Sequence, residues 1–288
     1  MEKKKLLKKA KYLLRFLPDK TYIQLYYFLH FHKPCNFKKP VTFNEKLNWL
    51  KIHDRNPVYR DMVDKYEVKK YVANVIGEEY VVPTIGVWDK FNDIDFSKLP
   101  NSFVLKCTHD SEGIFICTDK SRLDINAVRK KINSAMQCKF FYIGREWPYK
   151  RIKPRIIAEP YLVDHARQEL WDYKFFCFHG EPKYMYIATD RVKGETKFDY
   201  YDMEFNHLNI IQHYPNNMHQ LPKPETWDKM VELARMLAKG ILHVRVDFYE
   251  VNGKTYFGEL TFYHLSGFIP FQPEEWDKKF GELLKLPI

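Results

Sequence analysis

A chain of 288 residues that is 45% hydrophobic and 17% aromatic has apolar surface enough for one large domain or two modest ones, which argues against disorder. Lysine and arginine number 47 against 37 for aspartate and glutamate, an excess of ten that points to a negatively charged partner: nucleotide, anionic sugar, phospholipid head group or nucleic acid. Five scattered cysteines (Cys35, Cys107, Cys117, Cys138, Cys177) without Cys-x-x-Cys spacing indicate neither a zinc site nor a disulfide framework, and no apolar run approaches the roughly 18 residues of a membrane helix, so a soluble protein of the reducing cytosol is expected.

Residues 3–16 place Leu6, Leu7, Ala10, Leu13 and Leu14 at helical spacing with lysines on the other face, and Pro18 ends the pattern. The start is too charged for a signal-peptide core. This basic amphipathic helix either docks on its own domain or touches an anionic membrane surface. Helical patterns continue over 21–80, where Thr42 followed by Glu45 has the spacing of a capping box. From Tyr80 the character changes to short β-rich runs, YVVPTIGVW, SFVLKCT, GIFICT and RIIAEPYLV, with a helix predicted over 124–141. Strand runs DYKFFCFHG and KYMYIAT follow, then a long polar stretch from Asp190 to Pro224 and a helix over about 226–242. The runs VRVDFYEV and KTYFGELTF flank Asn252-Gly253, a strong hairpin signal.

That hairpin is the most informative segment. Folding at Asn252-Gly253 brings Glu259 close to Asp247, and two adjacent carboxylates call for a cation: Mg²⁺ held against phosphate suits such oxygen-only ligands, unless both acids merely face solvent. Lys106 ends an apolar strand before a polar loop with His109, Ser111 and Gly113 that could fold over phosphates; the alternative is a snorkelling strand lysine and an ordinary loop histidine. Glu159-Pro160-Tyr161-Leu162 reads either as a plain linker or as a stiffened segment whose free backbone groups meet an adenine edge, and Asp172 and Lys174 open the next strand.

In this order the segments resemble the ATP-grasp superfamily over nearly the whole chain. The set FNEKLNWLK (43–51), VLKCTHDSEG (104–113), DYKFFCFHGEPK (172–183) and GELTF (258–262) resembles its TupA-like branch, which implies teichuronopeptide or capsular polysaccharide synthesis. The resemblance implies an α+β ATP-grasp fold with a helical region (1–75) in place of the usual preceding domain, a lid subdomain (76–160) and a C-terminal subdomain with the metal site (161–288). It implies nucleotide-binding roles for Lys65, Lys69, Lys106, His109, Ser111 and Gly113, adenine contact at Glu159, Tyr161 and Leu162, and ribose contact near Asp172 and Lys174. Metal binding is implied for Asp247 and Glu259, with Thr261 standing where the D-alanine:D-alanine ligases carry a metal-binding asparagine.

The activity implied is ATP-dependent joining of a carboxylate to an amine through an acyl phosphate, with ATP and Mg²⁺ as cofactors. Lys106 would neutralise phosphate, Arg245 would meet the tetrahedral oxyanion, and Arg191, Lys193 and Lys197 would suit a uronate or amino-acid carboxylate on a small molecule or glycan. The rivals are an ATP-dependent phosphotransferase acting on a glycan and a nucleotide-sugar glycosyltransferase using Asp199 and Asp202. A nucleic-acid module is not supported, since the lysines are spread along the chain. The expected location is cytoplasmic, with residues 3–16 at the inner membrane face as the peripheral contact.

Overall fold

The structure, a computed structural model, describes residues 11–111, 113–191 and 194–288. Most of the basic helix expected over 3–16, including Lys3, Lys4, Lys5, Lys8 and Lys9, and also Lys193, lies outside the described residues. Two antiparallel sheets, each with helices packed against it, make an α+β chain. The smaller sheet holds β1 (Gly86–Trp88), β2 (Phe103–Cys107), β3 (Ile114–Cys117) and β4 (Ile156–Pro160) in the order β1-β4-β2-β3. The larger holds β5 (Asp172–Phe178), β6 (Glu181–Thr189), β7 (Lys197–Asp202), β8 (His207–Leu208), β9 (His243–Val251) and β10 (Lys254–Thr261) in the order β10-β9-β5-β6-β7-β8. The run YVVPTIGVW forms only the three-residue β1, since Pro83 withholds a ladder donor. Two strands, β7 and β8, lie inside the stretch read from sequence as polar. In β7 Phe198, Asp199, Tyr200 and Tyr201 are buried in succession, so both faces of the strand are covered and average polarity hid it.

The helices are α1 (Asp19–Phe31), α2 (Phe43–His53), α3 (Tyr59–Val63), α4 (Glu67–Ile76), α5 (Ile125–Met136), α6 (Phe141–Gly144), α7 (Trp227–Ala238) and α8 (Glu275–Leu283). At the start of α2 Thr42 Oγ1 accepts from Glu45 N while Glu45 Oε2 accepts from Thr42 N, the reciprocal capping box that the spacing predicts. The expected helix over 124–141 is two: Asp124 caps α5, which buries Val128 and Ile132 one turn apart, and the chain breaks before α6. In α4, Val68, Val72 and Ile76 recur at i, i+4 and i+8 and are all buried, and Val68 shares one wall with Lys65 and Lys69.

Helices α2 and α8 are locked end to end. Asp277 Oδ1 accepts from Asn44 N, supplying an acceptor to the orphan N–H groups of α2, and Lys46 Nζ donates to the carbonyls of Gly281 and Leu284 at the end of α8. Between them Phe43 and Phe280 enter the main core beside Phe176 and Phe178. A β-carbon at Gly281 would stand 2.3 Å from Val41 O, so only glycine allows this approach. Gly281→Ala is therefore expected to cost about 2 kcal/mol in urea unfolding through overpacking against backbone. A loss below about 0.5 kcal/mol would show that the two helices are not in this contact.

Candidate active site

The site lies where the two sheets face each other. On the small sheet Lys106 and Glu159 are diagonal neighbours, since Val104 pairs with Glu159 and Lys106 with Ile157, and their charged ends meet at 2.5 Å. Lys69, delivered by α4, meets the other oxygen of the same carboxylate at 2.5 Å and donates also to Val82 O and Thr84 Oγ1. Burial works against charge on Glu159, but Lys106 and Lys69 outweigh it and hold the carboxyl below its usual range. Burial conversely pulls the Lys69 ammonium down despite Glu159 beside it.

On the large sheet the charged residues form a row across three strands. Lys174 on β5 pairs in register with Asp247 on β9, which pairs with Glu259 on β10. A bulge makes the last pairing: the register shifts between Phe257 and Glu259, placing Glu259 beside Asp247. Gly258 sits at the shift because a β-carbon there would lie 3.1 Å from Asp247 O. Arg245 Nε and Nη2 grip the two oxygens of Asp247 at 2.7 Å each, and Nη2 reaches Glu259 at 3.2 Å and Thr261 Oγ1 at 3.0 Å. Lys174 bonds Asp247 and, at 3.1 Å, Asp172, whose other oxygen is paired with Arg191.

Between these arrays runs a cleft of about 490 Å³, a size suited to a nucleotide or drug-sized ligand. Val104, Ile116, Leu162 and Leu170 give it apolar walls away from the adjoining compartment, Tyr161 lies with them, and Tyr249 and Val82 stand where the two meet. An adjoining compartment of about 210 Å³ carries Lys65, Lys69, Ser111 and Glu259; Lys106, Glu159, Asp172 and Arg191 line both. Lys65, Lys69, Lys106, Lys174, Arg191 and Arg245 are six cations against the four carboxylates of Glu159, Asp172, Asp247 and Glu259, so the site keeps an excess of two positive charges toward an incoming anion.

Not every residue singled out from sequence reaches this cleft. His109 is buried beneath the loop, and burial lowers its imidazole pKa. Gly113 closes that loop: its N–H donates to Asp110 Oδ1 and its carbonyl accepts from Cys107 N, with no room for a side chain. Lys174 and Asp247 lie under the floor, Asp247 with no exposed surface, while the Glu259 side chain is 41% exposed. Thr261 gives its hydroxyl oxygen to Arg245. Lys197 is 3.9 Å from Asp190, outside the cleft lining. Asp199 and Asp202, three apart on one strand, point to opposite faces. Asp199 is buried against Asn217, and Asp202 ties its own turn through Glu204 N and Asn206 N. Tyr249, Val82 and Ile116 are cleft residues that the sequence reading missed; Tyr249 and Ile116 are strand positions and Val82 lies in the irregular segment before β1, and all three look like core until the two sheets are set face to face.

Burial opposes charge on Asp172 and on Glu259, yet Arg191 and Lys174 hold the first at about 2, and Lys174, Arg245 and Lys65 hold the second at about 2. Asp247 goes the other way, since burial raises its carboxyl further than Arg245 and Lys174 lower it. Carboxylates that titrate lower folded than unfolded stabilise the fold above their ordinary values of 3.8 and 4.5, and lose that contribution as pH falls toward 2. Asp172→Asn strands two cations and is expected to cost roughly 3 kcal/mol at neutral pH by urea titration. The gap from the parent should narrow near pH 3, and an undiminished gap there would contradict the pairing.

The sequence matches the family described as TupA-like ATPgrasp over residues 45–285. No curated protein sequence matches it. Among solved structures, D-alanine–D-alanine ligase from Bacillus anthracis complexed with ATP is 17% identical at a TM-score of 0.41, over 69% of this chain and 53% of that one. The Helicobacter pylori D-alanine-D-alanine ligase is 14% identical at 0.45, over 84% and 69%, and the D-cycloserine synthetase DcsG 15% identical at 0.41, over 79% and 71%. The chain thus spans about half the length of the Bacillus anthracis ligase. With the family matched over most of its length and helices leading into two facing sheets, this α+β chain has the ATP-grasp fold and belongs to the TupA-like ATP-grasp family.

Proposed function

We propose that the chain is an ADP-forming ligase that activates a carboxylate with ATP and passes it to an amine through an acyl phosphate. The observation that carries this reading is the two-part cleft, one part with apolar walls and the other carrying Lys65 and Lys69 beside Glu259, which Arg245 bonds from below. The adenine takes the part walled by Val104, Ile116, Leu162 and Leu170, its edge meets the backbone at Tyr161 and Leu162, and Asp172 lies level with the ribose. Lys106, Lys69 and Lys65 face the phosphates, and Glu159 holds the first two in place until phosphate competes for them. Arg245 supplies fixed positive charge to the oxyanion formed when the amine attacks, and Arg191 on the cleft wall draws in the carboxylate substrate, with Lys197, outside the lining, too remote to share that role.

An oxygen-only donor set fits Mg²⁺ brought in with a polyphosphate. Glu259 is the carboxylate open to the cleft and would hold it, with Asp247 behind, provided Arg245 and Lys174 yield an Asp247 oxygen. The ion would neutralise phosphate charge. Thr261, already bonded to Arg245, contributes least in this arrangement. For substrates we propose an amino acid or other amine and a uronic acid or peptide of a surface polysaccharide; family membership and the basic approach to the cleft support this. We further place the enzyme in the cytoplasm, touching the inner membrane face through residues 3–16. No described helix is long and apolar enough to cross a membrane, while Leu13 and Phe16 stand 69% and 78% exposed beside Lys11 and Arg15.

Mg-ATP at a hundredfold excess over its dissociation constant should stabilise the fold by about 2.7 kcal/mol. A shift with UDP-sugars and none with ATP would overturn the reading. With panels of amino acids and uronic acids the products should be ADP, phosphate and an amide; a phosphoester instead would make the enzyme a phosphotransferase. Lys106→Ala and Glu259→Gln should each abolish ADP formation with the far-ultraviolet circular dichroism unchanged, and near-normal turnover in either would remove that residue from the mechanism. Anionic liposomes should pellet the full chain at low salt and release it at high salt, each lysine near the surface adding on the order of 1 kcal/mol. Equal pelleting of a chain lacking residues 1–18 would leave that segment as scaffold.

A further inference from the structure

Arg245 has one edge not accounted for by its carboxylates. Its Nη1 donates to His264 Nδ1 at 2.8 Å. A guanidinium does not give up its proton, so Nδ1 must carry the lone pair and the ring proton must sit on Nε2. There it meets Gln212 Oε1 at 2.9 Å. Gln212 is itself oriented, because its Nε2 donates to Ile269 O at 2.8 Å and its Oε1 also accepts from Tyr200 OH. His264 is almost completely buried, and burial together with Arg245 keeps the ring neutral far below its ordinary titration range.

The turn that presents this ring is strained. Leu265, Ser266 and Gly267 follow with φ of 46°, 54° and 61°, a left-handed run that costs roughly 1 kcal/mol or more at each non-glycine position and persists only where surroundings over-determine it. The restraint comes from α2, more than two hundred residues earlier. Lys51, fully buried, donates to Ser266 O at 2.6 Å and to Asn48 Oδ1 at 3.0 Å, and Asn48 Nδ2 donates to Gly267 O at 2.7 Å. Ser266 Oγ is bonded to Glu146, and a β-carbon at Gly267 would touch Asn48 and Leu47 at 3.0 and 3.1 Å.

We infer that His264 is a positioning residue for Arg245, held as the neutral Nε2–H tautomer on a left-handed turn that Lys51 and Asn48 brace. It fixes the guanidinium by accepting at Nη1 while Asp247 grips Nε and Nη2, so the remaining charge stays aimed past Glu259. The helix ahead of the nucleotide-binding body is then part of the catalytic frame. The catalytic consequence rests on the ligase reading; the tautomer and the brace do not.

Imidazole ¹⁵N spectra of the full chain test the tautomer directly, with the His264→Asn spectrum identifying the resonance among the eleven histidines. A neutral ring protonated at Nε2 at neutral pH is expected; an Nδ1–H tautomer or an imidazolium there would overturn the inference. Lys51→Met should shift that resonance, and an unmoved resonance would remove the brace. In turnover, His264→Leu should lose on the order of 100-fold while binding metal-free AMP-PNP with unchanged affinity, because Arg245 and not the cleft walls or its lysines is disturbed. His264→Asn, which keeps an acceptor near the Nδ1 position, should recover about tenfold of that loss. Equal turnover for parent and both variants would sink the positioning role. Should His264→Leu fail to fold, the spectra of the parent and of Lys51→Met still decide. If the parent forms a phosphoester instead of an amide, the ligase reading fails, while the ring spectra and the comparison of variants on that turnover stand or fall separately.

Discussion

Everything in this site depends on burying charge without leaving any of it unpaired. Lys174, Asp247, Arg245 and Asp172 are each almost fully buried in the large sheet, where a single uncompensated charge would cost several kcal/mol. They are tolerated because strand register sets opposite charges side by side: Lys174 across from Asp247, and Asp247 across from Glu259. A sheet supplies this alignment more rigidly than a loop, since its spacing is set by backbone bonds running the length of the strands.

That buried array gives the cleft a floor of fixed polarity. Above it, Glu159 pairs with both Lys69 and Lys106, so the two ammonium groups are fixed on one carboxylate at the cleft wall. Preorganised charge of this kind needs little rearrangement when an anionic ligand arrives, and it does so in a compartment partly shielded from water. The cost is that the loop and helix carrying these groups must be anchored independently. Asp64 accepts from Tyr66 N and Glu67 N at the start of α4, Arg155 pairs with Asp64 and Glu67, and Lys65 N donates to Thr108 O. These bonds tie α4, the polar loop after β2 and the approach to β4 into one unit.

Helix α2 reaches both halves of this arrangement. Its first turn donates to Asp277 and carries the capping box, its apolar face feeds the core through Phe43 and Leu47, and its last turns hold the strained segment after β10. A region in which the sequence shows only helical periodicity and a capping box therefore bears on where Arg245 points.

Local physics let the sequence determine a good deal by itself. The β9–β10 hairpin follows from alternation around Asn252-Gly253, whose positive φ values of 52° and 72° suit those two residues. The capping box at Thr42 and the runs that became β2, β3, β4 and β5 were legible for the same reason, because each depends on neighbours within a few positions. The order of the segments that resemble the ATP-grasp family could be read along the chain as well. Only tertiary structure decided that Asp247 is closed off while Glu259 is open, because that follows from the bulge at Gly258 and from Lys174 arriving on another strand. Likewise Tyr249 and Ile116 become cleft walls only when two sheets meet. His264 joins Gln212 across 52 positions and Lys51 joins Ser266 across 215, separations over which no periodicity or spacing carries information.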